Sequence, residues 1–231
     1  MIFDLYGFGP ALAAGALMTI KLALTALALG LVLGLLGALA KTSPYKSLQW
    51  LGDSYSTIVR GVPELLWVLL IYFGTVNAMH AIGAWLGRPD LELGPFAAGS
   101  IALGLCFGSY ATEVFRGAIL AIPRGHREAG LALGLSKARI LWSLILPQMW
   151  RIALPGLGNL FMILMKDTAL VSVVGLGEIM RSAQIAVSVT KKPFTFFLVA
   201  ALIYLSLTIV AMIGMYFLEK RAARGFVRSS R

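Results

Sequence analysis

An all-α integral membrane fold with five transmembrane helices is predicted by three features of this sequence. Of its 231 residues, 59% are hydrophobic and 13% charged, against roughly 45 to 50% and 25% in soluble domains, and the mean hydropathy is +0.86. Charge-free runs of 19 residues (Leu22 to Ala40), 23 (Leu65 to Gly87), 19 (Gly94 to Thr112) and 25 (Phe194 to Leu218) match the roughly 20 needed to cross about 30 Å of hydrocarbon as helix. A fifth run, Ile152 to Gly177, is interrupted only by Lys166-Asp167, and charge inside a span is costly enough to imply a function. Runs this long exclude the alternating pattern of a β-barrel. The expectation is a single transmembrane domain covering residues 1–231.

Taken in order, Met1 to Pro10 lacks a basic leader and carries Asp4, so it does not read as a cleavable signal. Ala11 to Thr19 is either an interfacial segment or an outer extension of the first helix. That helix carries Gly30 and Gly34, and the third span carries Gly104 and Gly108. Glycines one turn apart let backbones approach closely, so these are read as packing surfaces. Lys41 to Gly52 reads as a short turn and an amphipathic lead-in to the second span.

Pro63 then removes the amide hydrogen that would bond the Val59 carbonyl and disfavours helix at Val62, so a break or kink is expected there. Glu64 follows it. This carboxylate sits either in the interface at a helix N-terminus, where the dipole favours it, or on a solute path. Gly87 to Gly94 reads as an exposed turn, His80 as an interfacial side chain, and Glu113 with Arg116 as a pair along one helix face. Cys106 is the only cysteine. It can form no intrachain disulfide and reads as a small buried side chain.

The net charge of +10 is explained by topology, and no nucleic-acid partner is expected. Sorted by loop, 14 basic residues fall on one side and 5 on the other, with Lys166 in the membrane. The positive-inside rule then puts the C-terminus and the long loop after the third span in the cytoplasm and the N-terminus outside.

That loop runs from Arg124 to Pro147 and contains Arg127-Glu128-Ala129-Gly130, Gly134 and Ile145-Leu146-Pro147. Residues 127–133 and 136–144 read as two short helices hinged at Gly134, with Ser136 as N-cap of the second. The pattern resembles the cytoplasmic coupling loop of ATP-binding-cassette importer permeases: Glu-Ala-Ala, a glycine four residues on, then Ile-x-Leu-Pro. Gly130 replaces the second alanine, and the closing motif lacks its usual spacer. The stretches Arg60-Gly-Val-Pro63-Glu64-Leu, Glu113-Val-Phe-Arg116-Gly117, Ile122-Pro123-Arg-Gly125, Ala153-Leu-Pro155-Gly156-Leu-Gly158-Asn159 and Lys166-Asp-Thr168-Ala-Leu-Val-Ser172 extend the likeness over essentially the whole chain. They are most similar to the polar amino-acid uptake subfamily, in particular the permeases for histidine, lysine, arginine, ornithine and opines.

The resemblance implies a type I importer permease-like fold with cytoplasmic coupling helices, in the bacterial cytoplasmic (inner) membrane. It implies three kinds of partner: an ATP-binding subunit dimer on Arg127, Glu128, Ala129, Gly130, Gly134 and Pro147; a second similar permease, a heterodimer being favoured over a homodimer; and a periplasmic or lipid-anchored solute-binding protein. The sequence has no Gly-x-x-x-x-Gly-Lys-[Ser/Thr], so no cofactor is expected in this chain, with ATP and Mg bound by the partner ATPase. The chain is a translocation subunit and not an enzyme.

For the solute, Glu64 is expected to read a cationic side chain, and Asp167, Thr168 and Lys166 to line the same cavity. Salt bridging between neighbouring helices is the alternative for Lys166 and Asp167. The rival function is an ion-coupled secondary amino-acid transporter, with Glu64 and Asp167 as ion sites. Against it, no second, inverted copy of either motif is found.

Overall fold

The computed structural model describes residues 5–86 and 93–222, without the side chains of 77 and 80–86. The turn expected at Gly87 to Gly94 falls largely outside the described residues, as does the side chain of His80. Helix α1 spans Gly9–Lys41 without a break, so Ala11 to Thr19 continues the helix of the first apolar run. A turn at residues 42–45 leads into the amphipathic α2, Lys46–Gly61, which buries only Gly52, Ser56 and Val59. Helix α3 is Glu64–Leu86, and α4 is Pro95–Leu120, with proline in its first turn where no amide partner is lost.

The long loop after α4 begins with α5, Arg124–Ala132, and α6, Lys137–Ile140. One π turn, Leu141–Ile145, joins α6 to α7, Leu146–Asp167. A 3-10 turn over Thr168–Val174, α8 over Ile179–Thr190 and α9 over Pro193–Ala222 complete the described chain.

Two boundaries differ from those expected. The second helix of the loop is the leading end of the fifth span. The wide π turn just before Pro147 lets the chain pass a residue that cannot bond to the preceding turn. At the other end, the α-helix stops at Asp167 and tightens to 3-10, and α8 is an element that the apolar-run argument did not contain.

Helix α1, the unit 137–174 and α9 are each long and apolar enough to cross a membrane. The pairs α2 with α3 and α4 with α5 qualify if each bent pair counts as one span, giving three to five. Each of these units overlaps one of the five apolar runs of the sequence.

The central packing is α1 against α4. A Cβ added to Gly30 would lie 2.5 Å from Phe107 Cδ1 and 2.9 Å from the Gly104 carbonyl, and one on Gly108 would lie 3.1 Å from the Gly30 carbonyl. The four glycines therefore form one crossing at which backbones touch. Around it a main core takes side chains from α1, α3, α4 and α7. A smaller core joins the N-terminal part of α1 to α8 and α9 through Leu12, Ile179 and Phe196.

Candidate functional site

The bend expected at Pro63 is large: α2 and the first half of α3 meet at 103°, with Val62 extended at φ −115°, ψ 135°. Trp67 Nε1 donates to the Val59 carbonyl at 3.0 Å, supplying the hydrogen bond that proline cannot. The bend makes Glu64 the first residue of α3 and brings its carboxylate into a cavity shared with Cys106 and Tyr110 of α4 and with Leu160, Leu164 and Asp167 of α7. Tyr110 Oη donates to Glu64 Oε1 at 3.0 Å.

Two carboxylates thus meet in one cavity. Among the described residues, neither forms an ion pair; those present join Lys41, Asp53, Arg60, Glu113 and Arg116. The cavity measures about 20 Å³, about the room that a single water needs.

Lys166 and Thr168 are placed elsewhere. Successive residues are about 100° apart around a helix, and Lys166 lines a separate groove with Phe197, Tyr204 and Thr208 of α9. Thr168 is fully buried, its hydroxyl donating to the Met165 carbonyl at 2.7 Å. Of the four residues expected to line one cavity, this chain brings together Glu64 and Asp167. Tyr110 was missed, and nothing in its local sequence marks it.

Beside the cavity, an ionic cluster ties α2 to α1 and α4. Lys41 Nζ lies 2.8 Å from Asp53 Oδ1 and 2.5 Å from Glu113 Oε1 and donates to Ser56 Oγ at 2.8 Å. Arg116 Nε donates to Glu113 Oε2 at 2.9 Å, the pairing expected from spacing, and Arg60 approaches Glu113 at 3.7 Å.

The segment from Arg124 to Pro147 has a definite local logic. Gly134, at φ +71°, closes α5 as a Schellman motif: its amide bonds to the Leu131 carbonyl at 2.9 Å, and that of Leu135 to the Gly130 carbonyl at 3.0 Å. Ser136 is the N-cap of α6, its hydroxyl accepting from the Arg139 amide at 3.3 Å. Gly130 is buried, and a Cβ there would lie 2.8 Å from Ile140 Cγ1. Close docking of α5 on α6 thus explains glycine where the pattern has alanine. Arg127, Glu128, Ala129, Gly134 and Pro147 are exposed.

A fully buried carboxylate, Glu178, was also missed. It caps α8 by accepting from the amides of Met180 at 2.9 Å and Arg181 at 2.7 Å, and it accepts from Tyr204 Oη at 2.7 Å. A carboxylate just after Gly175-Leu-Gly177 and before an apolar run is a capping signal, but the α9 partner is not visible in sequence.

Comparison with known proteins adds the context. The chain is 44% identical to the nopaline transport system permease protein NocQ of Agrobacterium fabrum, with 96% of this chain and 95% of that one covered. It is 39% identical to the histidine/lysine/arginine/ornithine transport system permease protein HisQ of Escherichia coli K12, with 97% and 99% covered. The crystal structure of an amino acid ABC transporter with histidines superposes with a TM-score of 0.80 at 32% identity, covering 96% of this chain and 98% of that one. Residues 30–224 match the family model described as binding-protein-dependent transport system inner membrane component. The chain therefore belongs to that family, the permease subunits of ATP-binding-cassette importers.

Proposed function

We propose that this permease moves basic amino acids or opines, and that the cavity between Glu64 and Asp167 receives the cationic group of the solute. The carrying observation is the pair of carboxylates that meet there from α3 and α7 with an ion pair to neither among the described residues. Unpaired carboxylates in a span are expensive, and a guanidinium, ammonium or imidazolium would offset their charge with charge-assisted hydrogen bonds. The relatives named for histidine, lysine, arginine and ornithine and for nopaline support the same reading.

In this reading the chain supplies half of a pathway, opposite a second similar permease, with a heterodimer favoured. A periplasmic or lipid-anchored binding protein delivers solute to the outer face. Two ATPase subunits, which hold ATP and Mg, dock on the segment 124–147 from the cytoplasm, where the exposed residues of α5 meet them. The N-terminus is outside and the C-terminus inside. ATPase closure moves α5 and, through the helical unit 137–167, displaces Asp167 relative to Glu64, widening the cavity. Lys166 and Thr168 act on the α9 side of this unit and outside the cavity.

The test is uptake into proteoliposomes holding the whole complex, with arginine compared against citrulline, its neutral near-isostere. ATP-dependent uptake of arginine that survives ionophores, with citrulline excluded, is expected. Equal uptake of the two would overturn the assignment of charge recognition.

A further inference from the structure

A different face of α7 forms, with α1 and α9, an apolar groove of about 330 Å³. Its walls are Leu24 and Leu31 of α1, Trp150 and Phe161 of α7, and Met215 and Leu218 of α9. Two glycines shape it. Gly158 brings α7 onto Met215, whose Cε lies 2.5 Å from where a Cβ would be, while a Cβ on Gly214 would meet nothing within 4 Å.

The dimensions select an occupant. From Trp150 to Phe161 the groove follows α7 for about 16 Å, half of the roughly 30 Å hydrocarbon core, so it spans one leaflet. A helix about 10 Å wide would fill roughly 1,250 Å³ over that length, so the groove is too small to seat one and suits a thinner, flexible chain.

Charge marks one end. Ala211, Gly214 and Leu218 line the groove at three- and four-residue spacing, and Arg221 continues that stripe one turn past the apolar end. Lys220 stands beside it, its Nζ 6.0 Å from the Tyr216 ring centre. Both basic residues are exposed.

We infer that this groove binds an anionic phospholipid from the leaflet at the C-terminal end of α9. One acyl chain lies between α1, α7 and α9, and the phosphate rests against Arg221 and Lys220. Such a lipid would brace α9, which buries only Phe196 and Ala200, against the helix that carries Asp167. The inference goes beyond solute recognition and is tested without transport.

Trp150 provides the reporter. The assembled transporter is placed in bilayers of phosphatidylcholine containing small fractions of phosphatidylglycerol or phosphatidylcholine brominated on one acyl chain. Brominated phosphatidylglycerol is expected to quench a saturable part of the tryptophan fluorescence about tenfold more effectively than brominated phosphatidylcholine, consistent with two basic residues near the headgroup. Trp150→Phe should remove that component, and Arg221→Gln with Lys220→Gln the preference between lipids. Gly214→Leu, at a position with open space, should block quenching while leaving the fold intact. Equal quenching by both lipids in proportion to their bulk fraction would overturn the inference. So would quenching in the isolated subunit that vanishes in the assembled transporter, since a protein partner would then cover the groove.

Discussion

Trp67 Nε1 donates to the carbonyl oxygen of Val59 at 3.0 Å, across the bend where Pro63 leaves that carbonyl without its backbone donor. The indole thereby holds the angle that presents Glu64 to the cavity. Trp67→Phe keeps most of the apolar contact and removes the donor, so a loss of about 1 kcal/mol in stability is expected. Thermal unfolding of the purified complex measures it. An unchanged midpoint would show that the bend is held by packing alone.

Lys41 offers a second test of how α2 is held. Its side chain is 10% exposed and faces Asp53 and Glu113. Lys41→Met leaves Glu113 with Arg116 and Arg60 but releases Asp53. Breaking a fully buried pair costs about 3 to 5 kcal/mol, and the exposure of Asp53, at 62%, reduces that to about 1 to 2 kcal/mol. Combining Lys41→Met with Asp53→Asn should recover part of the loss, as a double-mutant cycle would record.

The α1 and α4 crossing makes a sharper prediction. Gly30→Ala forces a methyl group against Phe107 and the Gly104 carbonyl, and about 1 to 3 kcal/mol of overpacking is expected. At Gly117, on the same α4, a Cβ would meet nothing within 4 Å. Gly117→Ala should therefore be neutral or mildly stabilising. Yield and thermal midpoint of the two variants should diverge accordingly.

In the segment proposed to dock the ATPase, Gly134 holds φ +71°, which costs a branched residue about 1 to 2 kcal/mol. Gly134→Val is expected to unfold the end of α5 and to lower solute-stimulated ATP hydrolysis or release the ATPase, whereas Gly134→Asn should be tolerated. Full coupling in Gly134→Val would require the ATPase to dock elsewhere.

The apolar runs made the spans legible because crossing hydrocarbon imposes a length. Pro63 made the bend legible because a missing donor and a steric clash act locally. Gly134 and Ser136 were readable for the same reason. What escaped were relationships set by rotation about helices and by partners distant in sequence. The phase of α7 puts Asp167 beside Glu64 and turns Lys166 toward α9, and a run of apolar residues carries little of that phase. Tyr110 meeting Glu64 and Lys41 meeting Glu113 join positions 46 and 72 residues apart. Helix α8 is too short to register as a span, and its capping residue Glu178 gains its role from Tyr204, a partner on another helix.

Recognition of a cation by Glu64 is tested most directly by the ratio of arginine to glutamine uptake in Glu64→Gln, measured in proteoliposomes of the assembled transporter at matched assembly and thermal stability. The charge is lost while size is kept, so the preference for arginine should fall by about tenfold or more, the factor that corresponds to about 1.4 kcal/mol or more of a charge-assisted hydrogen bond. A ratio equal to that of the parent chain would contradict the assignment of Glu64 to the solute path.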